Sequence, residues 1–285
     1  MRALLVFVML LFFSTGSAQV SEHGSVTQAH TLVSAENTTY TVRVTLPPDF
    51  DQNKTYKSLY YLDAWWLSEL VTGTYAILNL SEKVEDVVLI GVSSSGNLKD
   101  WNSRRTLDLT PSAYDLKKMG FQFTSGFGEN SLKLTDTNTG KADRFLAFFE
   151  QKLIPFIHAE YPNLNDNRGL VGHSFGGLFC VYALQEKPEL FAAYSIISPS
   201  MWWNKEEFLK NKLFQKSYTT PKTVFLANGE QESKWITQSN LKLNSIFKNL
   251  EGAGFNYRFQ TYADQDHNSV LSRALYDSFK MIYGK

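Results

Sequence analysis

GLVGHSFGGLFCVYAL, Gly169 to Leu184, places Gly172, Gly176 and Gly177 around Ser174 between two apolar runs. Gly172-His173-Ser174-Phe175-Gly176 fits G-x-S-x-G. In that motif a serine occupies a tight strand-to-helix turn, and its hydroxyl projects above the C-terminal edge of a sheet. The flanking positions must be small because the turn crowds them against neighbouring chain. A buried-strand pattern, Gly169 to Val171, precedes the serine and an apolar helical pattern, Phe175 to Gln185, follows it. The competing reading is a glycine-rich turn that merely lets a strand pass into a helix. The rest of the chain decides between them.

Working outward, Tyr40 to Leu46 alternates at period two as a half-buried strand does, and Pro47-Pro48 ends it. Ser58 to Leu62 and Val87 to Val92 are continuous apolar runs, the pattern of parallel strands covered on both faces. Tyr194 to Ile197, Thr223 to Ala227 and Tyr257 to Tyr262 are further strands of this kind. Helical periodicity marks Ala142 to His158, Glu206 to Gln215, Ile236 to Leu250 and Val270 to Tyr283. This alternation predicts one α/β domain over residues 36–285 with a mostly parallel central sheet flanked by helices. Ser93 to Thr139 is the least regular region and reads as a long functional surface loop. Val20 to Ala35 is polar and reads as a loosely held N-terminal segment.

A serine nucleophile needs a base and an acid that orients it, each on a loop after a later strand. Of five histidines, His23 and His30 lie in the N-terminal segment, His158 ends a helix before the turn, and His173 adjoins the serine. Only His267 lies downstream, on the loop after Tyr257 to Tyr262. It is the candidate base. The acid should follow Thr223 to Ala227, where Glu232 stands three residues after Gly229. Glu230 is the alternative, and Asp264 and Asp266 serve more simply to solvate the loop or adjust the histidine. Two backbone N–H groups should hold the developing oxyanion. Phe175 supplies one, and Trp65 the other, with Ala64 as alternative, on the loop after Leu62-Asp63.

The chain has 285 residues with 28 positive and 28 negative side chains, so nothing in its charge points to nucleic acid as partner. Residues 1–18, MRALLVFVMLLFFSTGSA, have the form of a secretory signal peptide: Arg2, an apolar stretch and a small-residue exit. Cleavage after Ala18 would leave Gln19 first, with the protein exported and no membrane insertion after cleavage. The competing reading is an uncleaved anchor. The single cysteine, Cys180, falls in the apolar helical run, where a packing role is expected. No metal-ligand spacing is present, and the glycine-rich turn lacks the lysine of a phosphate loop, so no cofactor or metal is expected.

Several segments occur in order: Tyr60 to Ala64, Gly91-Val92, Arg104 to Pro111, Gly140 to Leu146, Gly172 to Gly177, Ser198-Pro199-Ser200-Met201-Trp202-Trp203 and Asp266-His267. From about Val33 onward the chain resembles an esterase family of α/β-hydrolases. That family includes siderophore (enterobactin-type) esterases, S-formylglutathione hydrolases, feruloyl esterases and mycolyltransferases. The siderophore-esterase branch is nearest in its L-D-x, R-x-L-D-L-T-P and S-P-S-x-W-W segments. The resemblance implies an acyl-enzyme mechanism with Ser174 as nucleophile and His267 as base, acting on a small-molecule ester. It departs at Asp63-Ala64, where the family has Asp-Gly. The family's acid position varies, and some siderophore esterases use a serine–histidine dyad.

Trp65, Trp66, Trp202 and Trp203 fall on loops at the C-terminal edge of the sheet, where ligands of open α/β sheets bind. They are candidates for an aromatic substrate wall or for core packing. Arg104 and Arg105, with Asp108 nearby, are candidates for binding an anionic substrate. An internal ion pair is the commoner arrangement. Asp63 is expected to cap the helix starting near Trp65. The sequence thus points to an exported serine esterase. The alternatives are an acyltransferase using the same residues and a non-catalytic ligand-binding protein on the same scaffold.

Overall fold

Val87-Val88-Leu89-Ile90 is apolar on both sides of its pleat, and the two sides enter different cores: Val87 and Leu89 one, Val88 and Ile90 the other. Tyr61 and Tyr60 divide in the same way on the neighbouring strand. Side chains alternate across a strand, so a continuous apolar run requires cover on both faces. A computed structural model describes residues 18–20, 24–126, 128–210, 214, 218–252 and 254–285. All but Ala18 of the expected signal segment lies outside the described residues.

The strands of the main sheet are β1 (Ala18–Val20), β2 (Val26–Val33), β3 (Thr39–Leu46), β4 (Tyr56–Tyr61), β5 (Val87–Ser94), β8 (Leu164–His173), β9 (Ala193–Ile197), β10 (Lys222–Gly229) and β11 (Phe255–Tyr262). Their order is β1-β2-β3-β5-β4-β8-β9-β10-β11. From β5 to β11 all neighbours are parallel, while β1, β2 and β3 add an antiparallel edge. This is the α/β-hydrolase arrangement. Helices α1 (Ala64–Leu80) and α9 (Val270–Tyr283) cover one face. Helices α4 (Ala142–Phe148), α5 (Ile154–Glu160), α6 (Phe175–Glu186) and α8 (Lys234–Lys248) cover the other.

Four expectations need correction. Within Val20 to Ala35, the stretch Val26–Val33 is not loosely held, because as β2 it pairs with β3 over eight residues, and the Thr27 and Thr45 hydroxyls bond at 2.9 Å. Its polar side chains hid a strand whose backbone makes the ladder. The expected helix from Ala142 to His158 is broken by a π-helical turn, Phe149–Leu153, just before Pro155, which has no N–H to continue the regular ladder. The region from Ser93 to Thr139 is no structureless loop. It contains α2 (Leu98–Asp108), α3 (Leu116–Met119) and a hairpin of β6 (Thr124–Ser125) and β7 (Leu132–Lys133). Asn97 starts α2 with a reciprocal capping box to Asp100. Finally, α7 spans Trp203–Lys210 with three left-handed residues inside it, and the remainder of the expected Glu206 to Gln215 helix, apart from Phe214, lies outside the described residues.

Candidate active site

Strand β8 runs out at His173 and α6 begins at Phe175, so Ser174 alone makes the turn. Its backbone sits at φ 59° and ψ −116°, a conformation that a non-glycine residue keeps only where its surroundings hold it. The Ser174 N–H donates to the Ile197 carbonyl at 3.0 Å, and the Ser200 N–H donates to the Ser174 carbonyl at 3.0 Å. A Cβ at Gly172 would lie 2.1 Å from the Gly176 carbonyl oxygen, and one at Gly177 would lie 2.9 Å from Pro199 Cα. At Gly176 the nearest atom would be 3.5 Å away. Crowding therefore acts at two of the three glycines.

Glu232 folds back from the end of β10, and its side chain is fully buried. Its Oε1 accepts from the Gly229 N–H at 2.7 Å and from the Ser198 hydroxyl at 2.6 Å, while Oε2 meets His267 Nδ1 at 2.8 Å. A buried carboxylate needs such pairing at both oxygens. Because Oε2 accepts, Nδ1 carries the hydrogen, and in the neutral ring Nε2 is then the nitrogen with the lone pair. Glu230 is exposed, and its N–H bonds the Tyr262 carbonyl at 2.9 Å. Glu232, not Glu230, holds the histidine. His267 and Ser174 line one cavity of about 480 Å³. Among the described residues the Ser174 hydroxyl has one side-chain neighbour at hydrogen-bonding range, Ser200 Oγ at 3.4 Å.

Two neighbours shape the histidine loop. The Asp266 carboxylate accepts from the N–H groups of Ser269 and Asn268, which hold it below the usual carboxylate range. His173 is buried, and its Nε2 donates to the His267 carbonyl at 2.6 Å. Burial, reinforced by the facing His267 ring, keeps the His173 imidazole well below 6.5 and hence neutral. His30 and His158 are engaged elsewhere, with Tyr161 and Arg168. Cys180 is buried, and burial pushes its thiol well above the ordinary range.

The aromatic and basic candidates divide. Trp66 and Trp202 line the cavity. Trp203 does not: it is buried, and its Nε1 donates to Ser112. The Trp65 ring stacks on Trp101 at 5.6 Å, half exposed and outside the cavity wall. Arg105 lines the cavity but is held by Asp63 through two bonds of 2.8 and 2.9 Å, with its guanidinium over the rings of Trp101 and Phe175. Asp63 stands at the N-cap position of α1, yet its side chain serves Arg105 and caps nothing. Arg104 points away from the cavity, toward Asp108 at 3.6 Å and the Thr38 hydroxyl. The buried Asp108 accepts from the Tyr40 hydroxyl at 2.7 Å, and burial pushes its carboxyl up to about 7.

The cavity also has walls that sequence reasoning missed: Trp101, Asn102, Phe123, Ser200 and Trp235. Asn102 pins the β6–β7 hairpin by donating to the carbonyls of Ser125 and Asn130, each at 3.0 Å. No local pattern assigns these residues to a cavity wall, because they come from four separate excursions above the sheet edge: α2, the approach to β6, the loop after β9 and the start of α8. The starts of α1 and α6 meet there: a Cβ at Gly176 would lie 3.5 Å from Asp63 Oδ2 and 3.6 Å from Leu62 Cβ. Two helix N-termini, each with unsatisfied N–H groups and a positive dipole end, thus converge beside Ser174. Among the described residues no group of three or more His, Cys, Asp or Glu side chains could hold a metal ion, and no helix is long and apolar enough to cross a membrane.

A family model described as "Esterase: Putative esterase" matches residues 34–274. The chain belongs to this esterase family. Among curated proteins it is similar to the ferri-bacillibactin esterase BesA of Bacillus subtilis, with 33% identity over 147 residues, which is 48% of this chain and 51% of that protein. It is also similar to the siderophore enterobactin esterase of Emericella nidulans, with 29% identity over 168 residues, 48% of this chain and 54% of that protein. The chain thus spans about half the length of the curated relatives it matches. Among solved structures, the BES protein from Bacillus cereus superposes with a TM-score of 0.75 at 21% identity, covering 91% of this chain and 96% of the other. The siderophore hydrolase EstB from Aspergillus nidulans superposes with a TM-score of 0.72 at 22% identity, covering 94% and 97%. At these identities the two structures show the shared fold.

Proposed function

We propose that this protein is a serine carboxylic ester hydrolase acting on siderophore-type or other aryl and acyl esters. The observation that carries the reading is the chain Ser198–Glu232–His267, with the histidine and the strained Ser174 facing one aromatic-walled cavity. Ser174 Oγ attacks the ester carbonyl while His267 Nε2 takes its proton, and the buried Glu232 stabilises the imidazolium that results. The tetrahedral oxyanion is held by the Phe175 amide and by the first amides of α1, at Trp65 or Ala64, where two helix N-termini favour negative charge. His267 then protonates the leaving alcohol, and a water activated by the same histidine releases the acid. The flat rings of Trp66, Phe123 and Trp202 suit an aryl or acyl arm. The curated relatives named as siderophore esterases support the substrate class over the half of their length that aligns.

The deciding experiment is hydrolysis of p-nitrophenyl acetate, butyrate and octanoate by the wild type beside Ser174→Ala and His267→Ala. Turnover that both substitutions abolish is the expected result. A wild type that is inactive and unlabelled by a fluorophosphonate would overturn the reading. Export belongs to the same proposal and rests on the pattern of residues 1–18. Intact mass of the protein from the extracytoplasmic fraction decides it: a chain starting at Gln19 is expected, and one starting at Met1 speaks against cleavage.

A further inference from the structure

Trp202 and Trp235 meet edge to face with ring centroids 4.6 Å apart. Both rings line the Ser174 cavity, and both also line a second depression of about 560 Å³ with Met119, Phe121, Lys205 and Lys210. One aromatic pair therefore separates two hollows. Trp235 is 41% exposed and Phe121 48%, so large apolar surface faces solvent on the far side of the wall. Clustered exposure of this kind marks binding surfaces more than solitary exposed apolar residues do.

The two hollows differ in charge. The Ser174 cavity holds the carboxylates of Glu232 and Asp266, and among the described residues the one lysine or arginine in its lining, Arg105, is neutralised by Asp63. Apart from the two helix N-termini at Ser174, which serve the transient oxyanion, an anionic arm finds no unpaired lysine or arginine among the described residues there to offset its desolvation. The second hollow holds Lys205 and Lys210. Its carboxylate, Glu206, is already taken by Lys242 through bonds of 2.7 and 2.6 Å. Among the described residues neither Lys205 nor Lys210 enters an ion pair, and the Lys210 ammonium donates to the Lys205 carbonyl at 2.7 Å.

The segment presenting these cations is fixed. Asn204, Lys205 and Glu206 take φ values of 45°, 56° and 61°. The Asn204 side chain anchors them by donating to Ser112 Oγ and the Ala113 carbonyl and by accepting from the Asp115 N–H. Left-handed backbone at three successive non-glycine residues persists only where such contacts impose it.

We propose that the second depression is a binding subsite for an anionic arm of an elongated or branched ester whose neutral arm enters the Ser174 cavity. The cleavage step rests on the esterase reading, whereas binding at Lys205 and Lys210 does not. The test compares p-nitrophenyl monoesters of α,ω-dicarboxylic acids with methyl-ended esters of equal length. Wild type should prefer the carboxylate-ended ester at one chain length. Lys205→Gln/Lys210→Gln should raise the KM ratio of carboxylate-ended to methyl-ended ester about fivefold, the scale of two exposed charge contacts. High salt should shrink the wild-type preference in the same direction. A KM ratio unchanged by the double substitution overturns the proposal. A second measurement needs no catalysis: titration of Ser174→Ala protein with N-benzoylaminohexanoate, followed by tryptophan fluorescence. Binding weakened by the added double substitution supports the subsite even if no ester is cleaved, and equal binding removes it.

Discussion

Glu232 Oε2 lies 2.8 Å from His267 Nδ1, while the other oxygen of the same carboxylate takes the Ser198 hydroxyl and the Gly229 N–H. The carboxylate is therefore aimed by three partners from three segments of the chain. It fixes the tautomer that leaves Nε2 free to take a proton.

Glu232→Gln should lower kcat on p-nitrophenyl acetate by about two to four orders of magnitude with a small change in KM, since the wrong tautomer is then favoured. Glu230→Gln should retain wild-type kinetics. Equal, small losses in both variants would mean that His267 works as a dyad with Ser174.

The Asp63–Arg105 pair is almost completely buried and spans α1 and α2. Asp63→Ala should lower the unfolding free energy by about 3–5 kcal/mol, because it strands a buried guanidinium. The double variant Asp63→Ala/Arg105→Met should lose less than the sum of the single losses. Urea denaturation of the four proteins measures the coupling, and strict additivity would show the pair to be independent.

His173 is neutral in the folded protein because burial lowers its pKa. The unfolded chain binds a proton there below about pH 6.5, so this group's stabilisation is present above that pH and lost as pH falls. Between pH 7.5 and 5.5, wild type should lose roughly 1 kcal/mol more than His173→Gln, read from urea midpoints. Asp108 acts in the opposite sense: its carboxyl is raised to about 7, so its contribution weakens as pH rises from about 4 to about 7. Asp108 is common to both proteins and drops out of the comparison.

Gly172→Ala should abolish activity and lower Tm, because its methyl would sit 2.1 Å from the Gly176 carbonyl oxygen. Gly176→Ala should fold with a Tm near wild type, its methyl meeting nothing nearer than 3.5 Å. Thermal melts of the two separate steric demand from motif membership.

The sequence by itself determined the strand-to-helix turn at Ser174, the parallel sheet and, by the positions of the other histidines, His267. These rest on period-two and period-3.6 apolar patterns and on chain order, which are local or sequential properties. It also carried the Glu232 preference, although only the folded loop separates it from the exposed Glu230. Tertiary structure alone decided which tryptophans form walls. Trp202 and Trp203 are adjacent and chemically identical, yet one faces the cavity and the other donates to Ser112 in the core. It likewise decided that Arg105 belongs to the cavity while Arg104 turns to Asp108, and that Trp101, Phe123 and Trp235 close the site. Such residues meet only after loops from separate strands converge above one sheet edge. No spacing along the chain encodes that convergence.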